Sequence, residues 1–398
     1  MKNVLVILLI ALVTFKGFAQ TTAGTAIPNP PPPTDTSNID QRVITTGVPF
    51  MLIAGDARSS GMGDIGVSSA PDAFSQQWNP AKYAFAKDKQ GIGVTYTPYL
   101  SKLVNDIFLG NITYYNRLNE RSAVAASFRY FSNGEIELRE TADQEPLLVK
   151  PNELLFDLSY SLKLSERFSM AVAGRYIRSD LKLQTAIEDA NAANTFAVDI
   201  AGYYQSEEIP YDSFDGRWRL GFNFSNIGPK LKYDETGQEN NIPTNMALGG
   251  GFDFILDQYN KVSALVEVNK LLVPTPSDSN EDGTINSQDD YYNESFVSGM
   301  FSSFGDAPDG FGEELKEFTW ALGAEYTYQD SFAFRVGYFN ESDEKGSRKF
   351  ATLGAGFKYT SINIDLSYLF STSQVISPLE GTLRFGLTFN FGEQYDEY

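Results

Sequence analysis

The sequence contains no cysteine and no histidine. Without cysteine there are no disulfides, no thiolate metal sites and no thiol nucleophile. Without histidine there is no Ser-His-Asp triad and no imidazole-bound zinc. Positive charge is scarce too: 31 Lys and Arg stand against 51 Asp and Glu, giving a formal net charge of −20. A chain this acidic lacks the basic footprint that nucleic acid requires, so no nucleic-acid partner is expected. Beyond the first residues no apolar run approaches the roughly 20 residues of a spanning helix, and mean hydropathy is −0.26. What the chain does have is 30 Phe, 22 Tyr and 33 Gly in 398 residues.

The start, MKNVLVILLIALVTFKGFAQ, places Lys2 before an apolar stretch from Val4 to Phe15 and a small-x-small site at Gly17-Phe18-Ala19. This predicts a cleaved secretory signal over residues 1–19. An uncleaved anchor is the alternative, and the stretch is short for one. Residues 20–42 are Pro-rich and read as an extended spacer. Residues 43–90 are Gly-rich with little regular period.

From Gly91 the texture changes. The segment LRFGLTFNF places Leu383, Phe385, Leu387, Phe389 and Phe391 on one face and Arg384, Gly386, Thr388 and Asn390 on the other. Similar runs recur, each near the nine to eleven residues of a tilted membrane-crossing strand. The pattern predicts an all-β chain, a transmembrane antiparallel β-barrel of about 14 strands over residues 91–391, with an acidic periplasmic tail at 392–398.

The connections sort by parity. Those at 118–120, 165–166, 329–330 and 360–361 are short, and those at 132–152, 179–192, 227–242, 271–317, 341–349 and 372–380 are long. SEEIPYDSFDG, from Ser206, breaks the short rule. Short periplasmic turns and long outer loops are the mark of a membrane barrel, whose closure also satisfies every backbone group in lipid. Asp157, Ser159, Ser161, Asn363, Asp365 and Ser367 then face inward, as do Arg175, Arg219, Glu325 and Arg335. Tyr114, Tyr115, Tyr203, Tyr204, Tyr326 and Tyr328, near the run ends, are expected in interfacial girdles. Gly386, Phe389 and Phe391 fit an outer-membrane assembly signal.

Two segments invite chemistry. Gly61, Gly63 and Gly66 match G-x-G-x-x-G, but no βαβ unit surrounds them, so tight packing in a plug is the better reading. In PSDSNEDGTINSQDD, the residues Asp278, Asn280, Asp282, Thr284 and Asp289 have the spacing of a calcium loop, with Gly283 at the turn. The loop resembles that of dockerin modules. Ca2+ is expected as a structural clamp, the alternative being a solvated acidic loop; no organic cofactor is expected. The pairs Glu207-Glu208 and Asp289-Asp290 have nothing holding them at a catalytic separation, and no enzymatic activity is expected.

The segment from Pro49 to Phe85 carries Asp56-Ala57-Arg58, Gly61-Met62-Gly63 and Asn79-Pro80-Ala81. It resembles the N-terminal signature of the PorV (LptO) family, the outer-membrane barrels of the type IX secretion system. Broader relatives are the FadL-type transporters, similar in their fourteen strands, N-terminal hatch and Asn-Pro-Ala motif. The resemblance implies that residues 43–90 form a hatch inside the barrel. It implies a shuttle that binds the C-terminal signal domain of exported cargo. The shuttle would take cargo from a Sov/SprA-like translocon to a PorU-type sortase complex, amid outer-membrane lipid and lipopolysaccharide. The family has also been labelled an O-deacylase, which the missing histidine argues against. FadL-like uptake of fatty acids or other hydrophobic small molecules is the alternative, and a purely structural barrel a third. The 271–317 loop, with its apolar FVSGMFSSFG, is the expected docking patch.

Overall fold

In a computed structural model, residues 42–139, 145–181, 191–233, 239–373 and 377–395 are described. The expected signal, nearly all of the spacer, and residues 396–398 lie outside them. Fourteen long strands run in chain order: β1 (Asp88–Pro98), β2 (Ile107–Arg117), β3 (Ser122–Asn133), β4 (Asn152–Lys163), β5 (Phe168–Asp180), β6 (Ala193–Gln205) and β7 (Asp215–Ile227); then β8 (Asn245–Ile255), β9 (Asn260–Leu271), β10 (Thr319–Tyr328), β11 (Phe332–Asn340), β12 (Lys349–Tyr359), β13 (Ile362–Ser371) and β14 (Leu383–Gln394). Each pairs antiparallel with the next, and β14 pairs with β1, from Asp88↔Gln394 to Tyr96↔Phe385. The sheet therefore has no open edge. β14 runs three residues past Phe391, so the first three residues of the expected tail are strand. Tyr395 then caps it, with its N–H on the Lys87 carbonyl (2.8 Å) and its ring 3.7 Å from the Arg117 guanidinium.

The period-2 pattern sorts the side chains. Leu158, Val172, Phe196, Leu322, Val336 and Leu353 point outward and are each more than half exposed. A continuous apolar wall of this kind is stable against acyl chains, not water. Inward, Asp157, Ser159, Ser161, Asp365 and Ser367 are buried as expected, with Arg175, Arg219, Glu325 and Arg335. The tyrosine girdle needs correction. Neighbouring strand residues face opposite ways, so both members of a doublet cannot reach lipid. Tyr114 points out, whereas Tyr115 and Tyr203 are buried in the lumen, where they pack on Tyr83 and Phe85 at 4.9 and 5.6 Å between ring centres.

Residues 42–87 cross the lumen as a hatch built from short helices, among them Ala57–Ser60, Ser75–Trp78 and Pro80–Phe85. Arg42 sits at the mouth bearing the long connections, paired with Asp309 (2.7 Å) and Glu313 (3.1 Å) of the 272–318 connection. The hatch leaves at the opposite mouth, where β1 begins. No helix among the described residues is long and apolar enough to cross a membrane. The 272–318 connection carries its own helices, Asp290–Asn293, Phe296–Ser302 and Phe311–Glu314.

Candidate functional site

The hatch motif residues come together in space. Asp56 caps Ala57–Ser60 by accepting the Ser59 N–H (2.8 Å), and its other oxygen accepts the Trp78 indole N–H (2.6 Å). Asn79 caps Pro80–Phe85 through the Ala81 N–H (3.0 Å), while its amide donates to the carbonyls of Val67 and of Gly202 on β6, both at 2.9 Å. Pro80 supplies the fixed first-turn geometry. The two motif ends are thus joined to each other and to the wall.

Further bonds tie the hatch around the barrel. Ser159 on β4 reaches Gln76 (2.6 Å) and Ser169 on β5 the Ala81 carbonyl (2.7 Å). Asn223 on β7 donates to the Trp78 carbonyl (2.9 Å). The Glu267 carboxylate on β9 accepts the N–H groups of Gly66 and Val67, each at 2.9 Å. Thr352 on β12 accepts the Gly63 N–H (2.9 Å).

Arg58 is the strongest rivet. Its guanidinium donates to both Glu325 oxygens on β10 (3.1 and 2.8 Å) and to Asp72 within the hatch (3.0 Å). Arg335 on β11 bridges Glu325 (2.6 Å) and Asp365 on β13 (2.7 Å). A fully satisfied buried network fixes one arrangement, because breaking any member strands a charge.

Glycine explains the close fit. Gly221↔Gly249 and Gly323↔Gly337 are cross-strand pairs. A Cβ on Gly337 would lie 2.0 Å from the Met62 carbonyl carbon, and one on Gly221 would lie 2.2 Å from the Val67 oxygen. Gly61 approaches Gly354 from the hatch side, and Gly63, at φ +80°, lies against the Tyr338 backbone. These glycines lie in close contact with the wall backbone. Above them, Val48, Phe50 and Met51 fill the lumen against Leu109, Phe131, Leu155 and Ile177.

Gly386 faces Ala57 of the hatch, while Phe389 and Phe391 face outward on the closing strand.

At the long-connection mouth the 272–318 connection is clamped by two buried lysines. Lys270 pairs with Glu314 (2.6 Å) and Glu317 (2.7 Å), and Lys345 with Glu313 (2.7 Å) and Glu317 (3.0 Å). Asp306, Glu314 and Glu317 lie close enough to share a metal ion, but the Lys270 ammonium already supplies the positive charge there. Outside the clamp, Val297, Phe301, Phe304, Phe311 and Leu315 are exposed.

The 278–289 loop is wound on its own oxygens. Asp278 accepts the N–H groups of Asp282 (3.1 Å) and Gly283 (2.8 Å), and Asn280 accepts that of Asp282 (2.9 Å). Asp282 accepts the Thr284 N–H (2.8 Å) and hydroxyl (2.6 Å). Asp289, at the far end, accepts the N–H groups of Ser279 (2.9 Å) and Asn286 (2.7 Å). Gly283 has φ +84°, the turn that spacing demands. The Thr284 hydroxyl bond is the main cause holding Asp282 below the usual carboxylate range, and the Asn286 N–H does the same for Asp289. The five oxygen-bearing residues lie in one twelve-residue turn, a donor set suited to a hard cation.

Sequence reasoning placed Ser159, Glu325, Arg335 and Asp365 inward but missed the rest of the wall's half of this site. Glu267 was a single acidic residue in an apolar run, VSALVEVNKL, and the wall glycines read only as weak strand positions. The signal was that Gly221, Gly249, Gly323 and Gly337 all fall on the inward parity.

A family model described as type IX secretion system protein PorV matches residues 36–278, more than half of the chain. Among solved structures, the toluene transporter TodX of P. putida is 11% identical over 86% of this chain and 100% of its own, with TM-score 0.51. The toluene transporter TbuX of Ralstonia pickettii is 10% identical over 86% and 100% (TM-score 0.48). A Pseudomonas aeruginosa FadL homologue is 13% identical over 86% and 99% (TM-score 0.44). No curated protein matches the sequence. At these identities the likeness to TodX speaks to the fold alone, a closed β-barrel.

Proposed function

This chain belongs to the PorV family of type IX secretion system proteins and is an outer-membrane component of that machinery; from that premise we propose that it works as a shuttle. It binds the C-terminal domain of exported cargo at its outer loops, receives it from the translocon and delivers it to the sortase complex at the cell surface. The observation that carries this reading is the contrast between a lumen filled by the hatch and an outer connection exposing Phe301, Phe304 and Phe311. A carrier needs an accessible docking face and no open bore. Uptake of a hydrophobic small molecule would need an apolar vacancy, and that part of the lumen is occupied by Val48, Phe50 and Met51. The role is binding, not catalysis: the inward charged groups around Arg58 and Arg335 are consumed in ion pairs. The 278–289 loop is proposed as a calcium clamp that stiffens the docking connection.

Affinity purification from native membranes tests the shuttle. Translocon subunits and cargo C-terminal domains should co-purify. Recovery of fatty acid or lipid with no protein partner would favour the transporter instead.

A further inference from the structure

Five of the connections at the periplasmic mouth are turns of two to four residues: 118–121, 164–167, 256–259, 329–331 and 360–361. The sixth, 206–214, has nine and is the segment that breaks the parity rule. It does not hang free. Ile209–Pro210 pairs with Asp215–Gly216 at the start of β7, and the Tyr211 N–H donates to the Phe214 carbonyl (2.9 Å), closing a tight tip.

The tip rings turn back over the outer wall. Tyr211 stacks on Phe214 (4.9 Å between ring centres) and meets Phe252 of β8 (6.2 Å), while Phe214 meets Phe254 (5.3 Å). Trp218 of β7 completes the cluster against Phe252 (4.6 Å). Gly216 leaves room for it: a Cβ there would lie 2.4 Å from the Phe252 ring and 2.6 Å from that of Tyr211. Arg217, Arg219 and Asp253 are buried toward the lumen, so the alternate residues Gly216, Trp218, Phe252 and Phe254 lie on the lipid side. The cluster is therefore continuous with the apolar wall, at its periplasmic rim.

Ile209, Tyr211 and Trp218 are exposed on this cluster. Rings with an apolar body and a polar tip favour the boundary between acyl chains and headgroups. Charge selects the headgroup. Asp212, Asp215 and Asp257 border the rings and no Lys or Arg does, so an anionic phospholipid gains no attraction there.

We propose that the 206–214 connection is a membrane foot. Its rings insert among zwitterionic phospholipids at the periplasmic headgroup boundary and fix the β7–β8 sector there. The proposal goes beyond the shuttle reading and does not depend on it.

Brominated phosphatidylcholine, which quenches tryptophan only at close range, tests this on the full chain in vesicles with no partner protein present. Trp218→Phe with Trp320→Phe removes the two outward indoles, and Trp78, which bonds Asp56 in the lumen, sets the baseline. Tyr211→Trp, added to that chain, should lose about half of its emission above baseline when the bromines sit near the headgroups, and less when they sit near the bilayer centre. Heat-modifiable migration on gels confirms folding, and Ile209→Trp on the same hairpin is the second reporter. Quenching of both reporters no greater than the Trp78 baseline overturns the proposal and would mean that the rings are kept for a protein partner. Stronger quenching by brominated phosphatidylglycerol than by brominated phosphatidylcholine overturns the choice of headgroup.

Discussion

The hatch-wall boundary and the 272–318 connection are built from opposite materials. At the boundary, backbone meets backbone across paired glycines, and bonds such as Glu267 to Gly66 and Val67 tie hatch to wall. In the connection, apolar rings stand exposed over a clamp of buried lysines and glutamates. One region has spent its contacts within the chain and the other has kept them. The difference locates stability in the lumen and the proposed docking face at the outer mouth.

Changes at the boundary should therefore cost stability, and changes in the connection should cost binding. The largest effect is expected from Gly337→Val. Its Cβ would overlap the hatch backbone at Met62 and Gly63, where neither side is a flexible side-chain tip. A loss of about 3 kcal/mol or failure to assemble is expected, read as loss of the compact, heat-modifiable band on gels. Arg58→Ala comes next. Losing one member of a buried pair costs about 3–5 kcal/mol when the partner is stranded, and here Arg335 remains beside Glu325, so the loss should be smaller. Thermal unfolding in detergent measures it, and Arg58→Ala with Glu325→Gln should recover part of it.

Phe301→Asp with Phe311→Asp reverses the pattern. Exposed substitutions of this kind change stability by less than about 0.5 kcal/mol, yet cargo recovery from native membranes should fall several-fold. The smallest effect belongs to the proposed calcium loop. A chelator should raise protease sensitivity within 271–317, and Asp282→Ala should abolish that response; an unchanged digestion pattern would count against the site. The sign of the pH dependence follows from the depressed carboxyls of Asp282 and Asp289. Their contribution to loop order is present above the ordinary aspartate range and is lost as pH falls through their lower native values.

The barrel was legible in the sequence because its solvent imposes a simple rule. Lipid outside and a filled lumen inside make every strand alternate, so LRFGLTFNF announces both faces, and loop length announces the side. The hatch motif was legible only through its family resemblance; the structure adds the local reason, with Asp56 and Asn79 as cap residues and Pro80 in the first turn. The tyrosine doublets misled because composition gives no phase, and a one-residue step sends Tyr115 and Tyr203 into the lumen. The clamp around Lys270 and Lys345 was hidden for another reason. Its partners are 28 to 47 residues apart in sequence, and pairing at that distance leaves no local pattern.

The central claim is that the hatch stays in place while the protein works. With no native cysteine, an Ala57→Cys and Gly386→Cys pair, whose Cβ atoms would lie 3.7 Å apart across the hatch-wall contact, can be introduced and oxidised in living cells. If the hatch is a fixed plug, cells carrying the crosslinked protein secrete type IX cargo as well as those carrying the reduced form. Secretion that stops on oxidation and returns with reductant would mean that the hatch must move, and would contradict the account.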